Sequence, residues 1–181
     1  MKICIFPGTF NPIHEAHLKV AEFALTHYGF DKVIFIPSYI PPHKELDKNL
    51  AKHRFNMVKL ATKNNPRFEV SDIEFNSEGK SYSLITVKEI IKQYNIKDKI
   101  NFIIGTDAFD KIDTWYKADE LRKLVHFIVF PRGVNISAKP LWDYEIAPLE
   151  FLDISSTQIR STHNDTIKEV KDYIEKNDLY A

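Results

Sequence analysis

The chain has 181 residues, and its 25 basic and 25 acidic side chains cancel to a formal net charge of zero at pH 7. This balance supplies no overall basic field, so we expect no nucleic-acid partner, and a single cysteine, Cys4, excludes an internal disulfide and a cysteine-based metal site. No apolar run reaches the roughly 18 residues of a membrane span, so we predict a cytoplasmic protein with no membrane partner, folded as one domain over residues 1–181.

Strand-like apolar runs alternate with helical patterns along the chain. In chain order the patterns predict a strand at residues 2–6, a helix at 16–28 that stops at Gly29, a strand at 32–37, a helix at 51–62, a strand at 68–70, a helix at 84–94, a strand at 100–104, a short helix at 117–123, strands at 126–130 and 150–152, and helices at 155–161 and 166–177. Such alternation predicts an α/β fold: a Rossmann-like, doubly wound parallel sheet with helices on both faces and a small helical part at the C-terminus. In these sheets ligands bind at the carboxyl ends of the strands, where the strand order reverses.

The segment after the first strand, residues 8–17, is the strongest candidate for a phosphate site. Gly8 permits a tight turn and the close approach of a ligand, and Pro12 stiffens the path into the next helix. His14 and His17 are three residues apart, so on the first turn of a helix they share one face beside free backbone N–H groups. Two imidazoles there can donate hydrogen bonds to phosphate oxygens and stabilise charge that develops during transfer. The alternative interpretation is a loop with two surface histidines.

Residues 154–160 form a second candidate, at the start of a predicted helix. Ser155 and Gln158 have the spacing of a capping box, which by itself explains why a helix begins there. Ser156 adds hydrogen-bond donors, and Arg160 lies about one turn further on, where its guanidinium can bind a phosphate with two N–H groups. One helix end can be both capped and phosphate-binding, so the two interpretations are compatible.

Three further positions carry polar or aromatic side chains close to predicted strand ends. Lys44 follows two prolines that make its loop rigid, although most lysines in surface loops are simply exposed. Asp107 follows Gly105 at the end of a strong strand, where it can accept hydrogen bonds from ribose hydroxyls or cap the next helix. Trp115 has polar neighbours, so its ring is a candidate for stacking on a base or ring, against the commoner role of a core side chain.

Together these segments resemble the HxGH nucleotidyltransferases and, more narrowly, the bacterial nicotinate mononucleotide adenylyltransferases. The resemblance covers essentially the whole chain and rests on five ordered motifs: residues 8–17, 38–44, 81–83, 105–107 with Trp115, and 154–160. It implies adenylyl transfer from ATP to nicotinate mononucleotide, giving deamido-NAD and pyrophosphate, with Mg²⁺ bound mainly through the substrate phosphates. In that family the mononucleotide phosphate attacks the α-phosphate of ATP directly, so catalysis is mostly positioning and charge stabilisation.

The resemblance also implies roles for individual residues. It assigns ATP binding to Gly8, Thr9, Phe10, His14, His17, Gly105, Asp107, Ile154, Ser155, Ser156 and Arg160. It assigns nicotinate mononucleotide binding to Thr9, Phe10, Lys44, Tyr82, Ser83 and Trp115. It assigns catalysis to His14, His17, Lys44 and Arg160, and it names no side chain as a metal ligand.

Two positions depart from the family pattern. Ala16 stands where the family motif has glycine, and Ser83 stands where it has threonine but keeps the hydroxyl that can meet a nicotinate carboxylate. The start of the chain also resembles phosphopantetheine adenylyltransferase, a sister family, and a non-catalytic nucleotide sensor on the same fold is the alternative from another class. The sequence leaves open the choice between nicotinate and nicotinamide mononucleotide, and whether the chain forms a homo-oligomer.

Overall fold

The computed structural model describes residues 1–40, 48–76, 82–132, 137–149 and 166–180. Within these ranges one sheet contains the strands β1 (Ile3–Gly8), β2 (Lys32–Pro37), β3 (Phe68–Val70), β4 (Ile100–Gly105), β5 (Val125–Phe130) and β6 (Tyr144–Ile146). The helices are α1 (Glu15–His27), α2 (Lys48–Thr62), α3 (Ser83–Gln93), α4 (Thr106–Asp110), α5 (Ala118–Leu121) and α6 (Lys168–Lys176), with 3₁₀ turns at Ile73–Asn76 and Ile112–Thr114. No helix in the described ranges is long and apolar enough to span a membrane.

The strand order of the sheet is β3-β2-β1-β4-β5-β6, and every neighbouring pair is parallel. The chain first builds outward from β1 to β3 and then returns to the other side of β1, where Ile5 lies opposite Phe102 of β4. The order therefore reverses between β1 and β4, which confirms the predicted doubly wound parallel sheet. The crevice expected at such a reversal lies beside Gly8 and Gly105, the last residues of these two strands.

Alternate residues of each strand enter two separate cores, one on each face of the sheet. In β1, Cys4 and Phe6 join the core with α1, α2 and α6, whereas Ile3 and Ile5 join the core with α3, α4 and α5. Helices therefore cover both faces, as predicted. Cys4 is fully buried, and burial raises the pKa of its thiol, so it is the small core side chain that its apolar neighbours indicate.

The first half of the chain follows its predicted elements closely. The strands β2 and β3 have the predicted bounds, since each is an apolar run that ends at a turn. Gly29 has a φ of +68° just after α1, which confirms it as the stop of that helix. The strand β1 runs two residues further than predicted, because Pro7 and Gly8 still lie opposite Ile36 and Pro37 in the parallel register.

The second half departs more from the prediction. The helix predicted at 117–123 is only Ala118–Leu121, because Lys117 takes a left-handed conformation with a φ of 49° directly before it. Neither α4 nor β6 is predicted, since they have five and three residues and hydrophobic periodicity cannot show in so short a run. The strand predicted at 150–152 and the helix predicted at 155–161 lie outside the described residues.

The C-terminal helix α6 docks against α2. Val170 and Ile174 are fully buried, and the hydroxyl of Tyr173 lies 2.8 Å from Nδ1 of His53. The same hydroxyl accepts a hydrogen bond from Nδ2 of Asn56 at 3.1 Å. These contacts place the end of the chain on the face of the sheet that also carries α1.

Candidate functional site

The loop after β1 has a backbone path that its sequence explains. Phe10 takes a left-handed conformation with a φ of 49° and folds its ring back over the end of the strand. A Cβ at Gly8 would lie only 3.0 Å from that ring, tighter than an ordinary contact, so glycine lets the ring pack here without shifting. The Phe10 ring is 3% exposed and contacts the rings of Phe6, Phe35 and His17. It therefore supports the loop from below and is not displayed to a ligand.

The end of the chain holds the same loop in place. The hydroxyl of Tyr180 donates a hydrogen bond to Oδ1 of Asn11, which is itself buried. The hydroxyl of Thr166 donates to the carbonyl of Ile13 at 3.0 Å, and Ile13 is fully buried. The loop is therefore anchored by contacts from the C-terminal segment as well as by its own packing.

His14 and His17 lie together at the start of α1, as their spacing predicts. Their rings are stacked, with centroids 3.8 Å apart and planes 21° from parallel. The backbone N–H of His14 donates to Nδ1 of His17 at 3.1 Å. Because Nδ1 of His17 accepts this bond, it carries no proton, and the proton of the neutral ring is on Nε2. His17 is thus oriented as a donor through Nε2.

Both imidazoles are neutral at physiological pH. Burial, assisted by the positive charge of Arg132, lowers the pKa of His14 to about 4. Burial also holds the pKa of His17 well below its usual value, and His14 and Arg132 add to the effect. Each neutral ring can act as an N–H donor, and Arg132 brings positive charge close to the pair.

Arg132 is a site residue that the sequence interpretation missed. It follows β5 at the carboxyl edge of the sheet, and its backbone N–H donates to Oγ1 of the buried Thr106 at 3.1 Å. This bond holds the chain after β5 against the start of α4, and so fixes the backbone position from which the Arg132 side chain extends. The signal was present in the sequence, because a cation directly after a strong apolar strand lies at the edge where ligands of such sheets bind.

A cavity of about 550 Å³ opens at the reversal point between β1 and β4. It brings together six of the predicted site residues: Gly8, Thr9, Ser83, Gly105, Asp107 and Trp115. Four other predicted residues in the described ranges, Phe10, His14, His17 and Tyr82, are not among its lining residues. The segment 8–17 connects the histidine pair to the cavity, because it contains both histidines and its residues Gly8 and Thr9 line the cavity.

The far wall of the cavity is built from α3 and the turn before α5. Ser83 is the first residue of α3, and the ring of the preceding Tyr82 lies against that of Tyr116 with centroids 4.5 Å apart. Trp115 is partly buried, with its ring 6.2 Å from that of Phe102 and its backbone held in the adjoining turns. A hydroxyl and a flat aromatic side chain thus line the same pocket.

The cavity also takes in charged residues that the sequence interpretation did not select. Glu74 is 6% exposed and accepts a hydrogen bond from Oγ1 of Thr86 at 2.7 Å. Lys111, at the end of α4, lines the opposite side. Neither residue belongs to a motif, so only the folded chain shows that they face the site.

Five of the predicted site residues lie outside the described residues: Lys44, Ile154, Ser155, Ser156 and Arg160. Among the residues that the structure does describe, no group of three or more His, Cys, Asp or Glu side chains could hold a metal ion.

Comparisons with known proteins agree with one another. The model of the cytidylyltransferase-like family matches residues 5–162. The chain is 37% identical over 201 residues to a probable nicotinate-nucleotide adenylyltransferase of Caldicellulosiruptor saccharolyticus, with 99% of each protein covered. It is 39% identical over 189 residues to the nicotinate-nucleotide adenylyltransferase of Bacillus subtilis, a match that covers 99% of this chain and 98% of that protein.

A solved structure is also similar. The nicotinic acid mononucleotide adenylyltransferase of Plasmodium falciparum, determined in complex with NaAD, superposes with a TM-score of 0.80 over 99% of this chain and 97% of that chain. The two sequences are 22% identical, so this likeness concerns the fold alone. It is a further observation in favour of the Rossmann-like sheet described above.

Proposed function

Because the chain belongs to the cytidylyltransferase-like family and to its nicotinate-nucleotide adenylyltransferases, we propose that it transfers the adenylyl group of ATP to nicotinate mononucleotide. The products are deamido-NAD and pyrophosphate. The observation that carries the proposal is the cavity at the strand reversal, which joins the loop after β1 to Ser83 and Trp115. One pocket therefore has a phosphate-handling side and a side with a hydroxyl and an aromatic ring.

The proposed reaction needs no covalent intermediate with the protein. A phosphate oxygen of the mononucleotide forms a bond to the α-phosphorus of ATP, and the bond from that phosphorus to the oxygen bridging to the β-phosphate breaks. The electron pair of the broken bond leaves with pyrophosphate. The protein's part is to hold the two phosphates in line and to stabilise the negative charge that moves onto the leaving group.

The histidine pair suits this second task. Nε2–H of His17 and the N–H groups at the start of α1 are donors, and a neutral donor fixed in place stabilises charge as it develops. Arg132, whose charge acts on both imidazoles, supplies a cation at the same point. By their place in the motifs, Lys44 and Arg160 add further positive charge to the phosphates.

Ser83 and Trp115 act on the second substrate, nicotinate mononucleotide. The hydroxyl of Ser83, at the first residue of α3, donates to the nicotinate carboxylate, and the ring of Trp115 stacks on the pyridine ring. Gly105 and Asp107 line the cavity from β4 and α4, where Asp107 accepts hydrogen bonds from ribose hydroxyls. Serine in place of the family's threonine preserves the hydroxyl on which recognition of the acid depends.

The donors of the site fit a magnesium ion that would be held mainly by the phosphates of ATP. The donors beside the histidine loop are imidazole nitrogens and backbone N–H groups, whereas Mg²⁺ takes oxygen ligands. Asp107 offers a carboxylate at the cavity wall. This donor set fits an ion coordinated chiefly by phosphate oxygens and water, and such an ion would neutralise charge on the β- and γ-phosphates.

The experiment that tests the proposal is a pyrophosphate-release assay with the purified chain, ATP and Mg²⁺. We expect release with nicotinate mononucleotide, and a smaller kcat/KM with nicotinamide mononucleotide. Release with phosphopantetheine and with neither mononucleotide would assign the chain to the sister activity. ATP binding without release from any of the three acceptors would assign it to the non-catalytic nucleotide sensors.

A further inference from the structure

Arg54 is an arginine with no exposure to solvent, located in the second turn of α2. Its guanidinium donates three hydrogen bonds, all of them to backbone carbonyls. Nη1 donates to the carbonyl of Thr9 at 2.8 Å and to that of Ser38 at 2.7 Å, and Nη2 donates to the carbonyl of Tyr39 at 2.9 Å. These are short, well-formed bonds from a charged donor, the stronger class of protein hydrogen bond.

The three carbonyls belong to two different turns of the candidate site. Thr9 is in the loop after β1, and Ser38 and Tyr39 follow β2. Thr9 and Ser38 both line the cavity, and the backbone N–H of Ser38 also donates to the carbonyl of Gly8 at 2.9 Å. A single planar group therefore sets the separation of two neighbouring strand ends at the edge where the ligands bind.

Burying a guanidinium costs free energy, so an apolar side chain of similar length would fill the same space more cheaply. Burial lowers the pKa of Arg54, and Tyr180 and Glu74 act in the opposite direction. Glu74 is itself a buried cavity residue, bonded to Thr86 of α3. The guanidinium of Arg54 therefore lies close to other residues of the site. Its rigid, planar set of N–H groups bonds three carbonyls at once, which a lysine ammonium cannot do.

We propose that Arg54 is a positioning residue for the adenylyl transfer, which fixes the loop after β1 against the turn after β2 so that the phosphate-binding backbone is in place before ATP arrives. This inference rests on the proposed function. Arg54 does not line the cavity, so it acts through Thr9 and Ser38 and touches no substrate.

Arg67 provides a matched control. Its guanidinium also donates to two backbone carbonyls, those of Phe30 and Asp31, the latter at 3.3 Å. Both carbonyls precede β2 and so lie at the amino end of the sheet, away from the cavity. Replacing the Arg67 guanidinium therefore removes similar hydrogen bonds to backbone carbonyls, but it leaves the carboxyl edge of the sheet, where ligands bind, intact.

The test compares Arg54→Lys with Arg67→Lys in the pyrophosphate assay and in ATP titrations by calorimetry. We expect both variants to fold and both to melt a few degrees lower. In Arg54→Lys alone, kcat/KM falls about 10²-fold, the scale of a displacement of about 1 Å in the site, and ATP binds more weakly. Kinetic constants and ATP affinity for Arg54→Lys that match those of Arg67→Lys would overturn the inference.

A second measurement covers the case in which Arg54→Lys does not fold. In the wild-type chain labelled with ¹⁵N-arginine, we expect the Arg54 guanidinium signals to be resolved and slow to exchange. Slow exchange should already be present without ATP and should persist when ATP is added, because the three bonds are formed in advance. Arg54 signals that exchange rapidly without ATP and slow down only when ATP is added would overturn the inference. A wild-type chain with slow Arg54 exchange that binds ATP but releases no pyrophosphate would refute the proposed function and leave standing the role of Arg54 in fixing the loop for ATP.

Discussion

Histidines occur at both ends of the sheet, and their surroundings give them different properties. At the carboxyl end, His14 and His17 are stacked, with His14 buried and His17 partly exposed, close to the positive charge of Arg132. At the amino end, His126 of β5 is 23% exposed and lies between two carboxylates, 2.9 Å from Asp143 and 2.8 Å from Glu145. The first pair is kept neutral by burial and by a cation, whereas the second histidine lies in a surface network with two carboxylates, one of which also pairs with Lys99.

The difference shows which histidines can serve a reaction. Ion pairs at an exposed site are screened by water and salt and typically contribute between 0 and about 1 kcal/mol. A neutral imidazole whose Nδ1 accepts a neighbour's backbone N–H has a fixed proton and a fixed direction, so it can act as a preorganised donor. The variants described next test this difference between the two histidine sites.

The largest expected effect is on turnover. Replacing His17→Ala removes a donor aimed at developing charge, and loss of one such donor costs about 10²-fold to 10³-fold in kcat. His126→Ala, far from the cavity, should leave kcat unchanged. The measurement is steady-state pyrophosphate release for both variants, with circular dichroism to confirm folding. A folded His17→Ala variant that turns over at the wild-type rate would remove this histidine from the mechanism.

The next effect is on stability against pH. The pKa of His14 is about 4 in the folded chain, below the roughly 6.5 of an unfolded histidine, so between these values the unfolded chain binds the extra proton. The free energy of unfolding therefore falls as the pH drops through 6.5, by about 2 kcal/mol between pH 7.5 and 5 from this group alone. Urea unfolding across this range measures it.

The variant for that experiment is His14→Asn. It should reduce the dependence of stability on pH between about 5 and 7.5, because one of the two groups with a lowered pKa is gone while His17 keeps its own contribution. An unchanged slope in His14→Asn would mean that burial at the carboxyl end does not keep this imidazole neutral.

The smallest effect concerns the surface network itself. His126→Asn should change the free energy of unfolding by no more than about 1 kcal/mol, and the change should shrink as salt is raised to about 1 M, because exposed pairs are screened. Thermal unfolding at low and high salt tests this. A larger loss in the free energy of unfolding that does not depend on salt would show that His126 stabilises the fold through buried contacts.

Part of the fold and of the candidate site could be predicted from sequence, because it depends on local patterns. Apolar runs bounded by turns located β2 and β3 to the residue, and the spacing of three between His14 and His17 placed their rings side by side. The reversal of strand order then followed from general rules for alternating strands and helices. Sequence also selected six of the residues that line the cavity, since strand ends of a parallel sheet share one edge.

What could not be predicted depends on contacts between distant parts of the chain. Nothing in the local pattern distinguishes Arg54 from an ordinary helix-surface arginine, because its three acceptors come from two other segments. Phe10 is part of the binding motif, yet its left-handed backbone turns the ring into the core. Periodicity does not detect β6, whose three residues carry too little pattern to register.

The hydrogen bond between Tyr180 and Asn11 joins residues 169 positions apart. Thr166 makes a comparable contact with Ile13 across 153 positions. During synthesis on the ribosome, strand β1 is made before the segment that carries Thr166 and Tyr180, so the loop after β1 cannot acquire these two contacts until that later segment has been translated. The loop is thus synthesised early and completed only by residues that follow it by more than 150 positions.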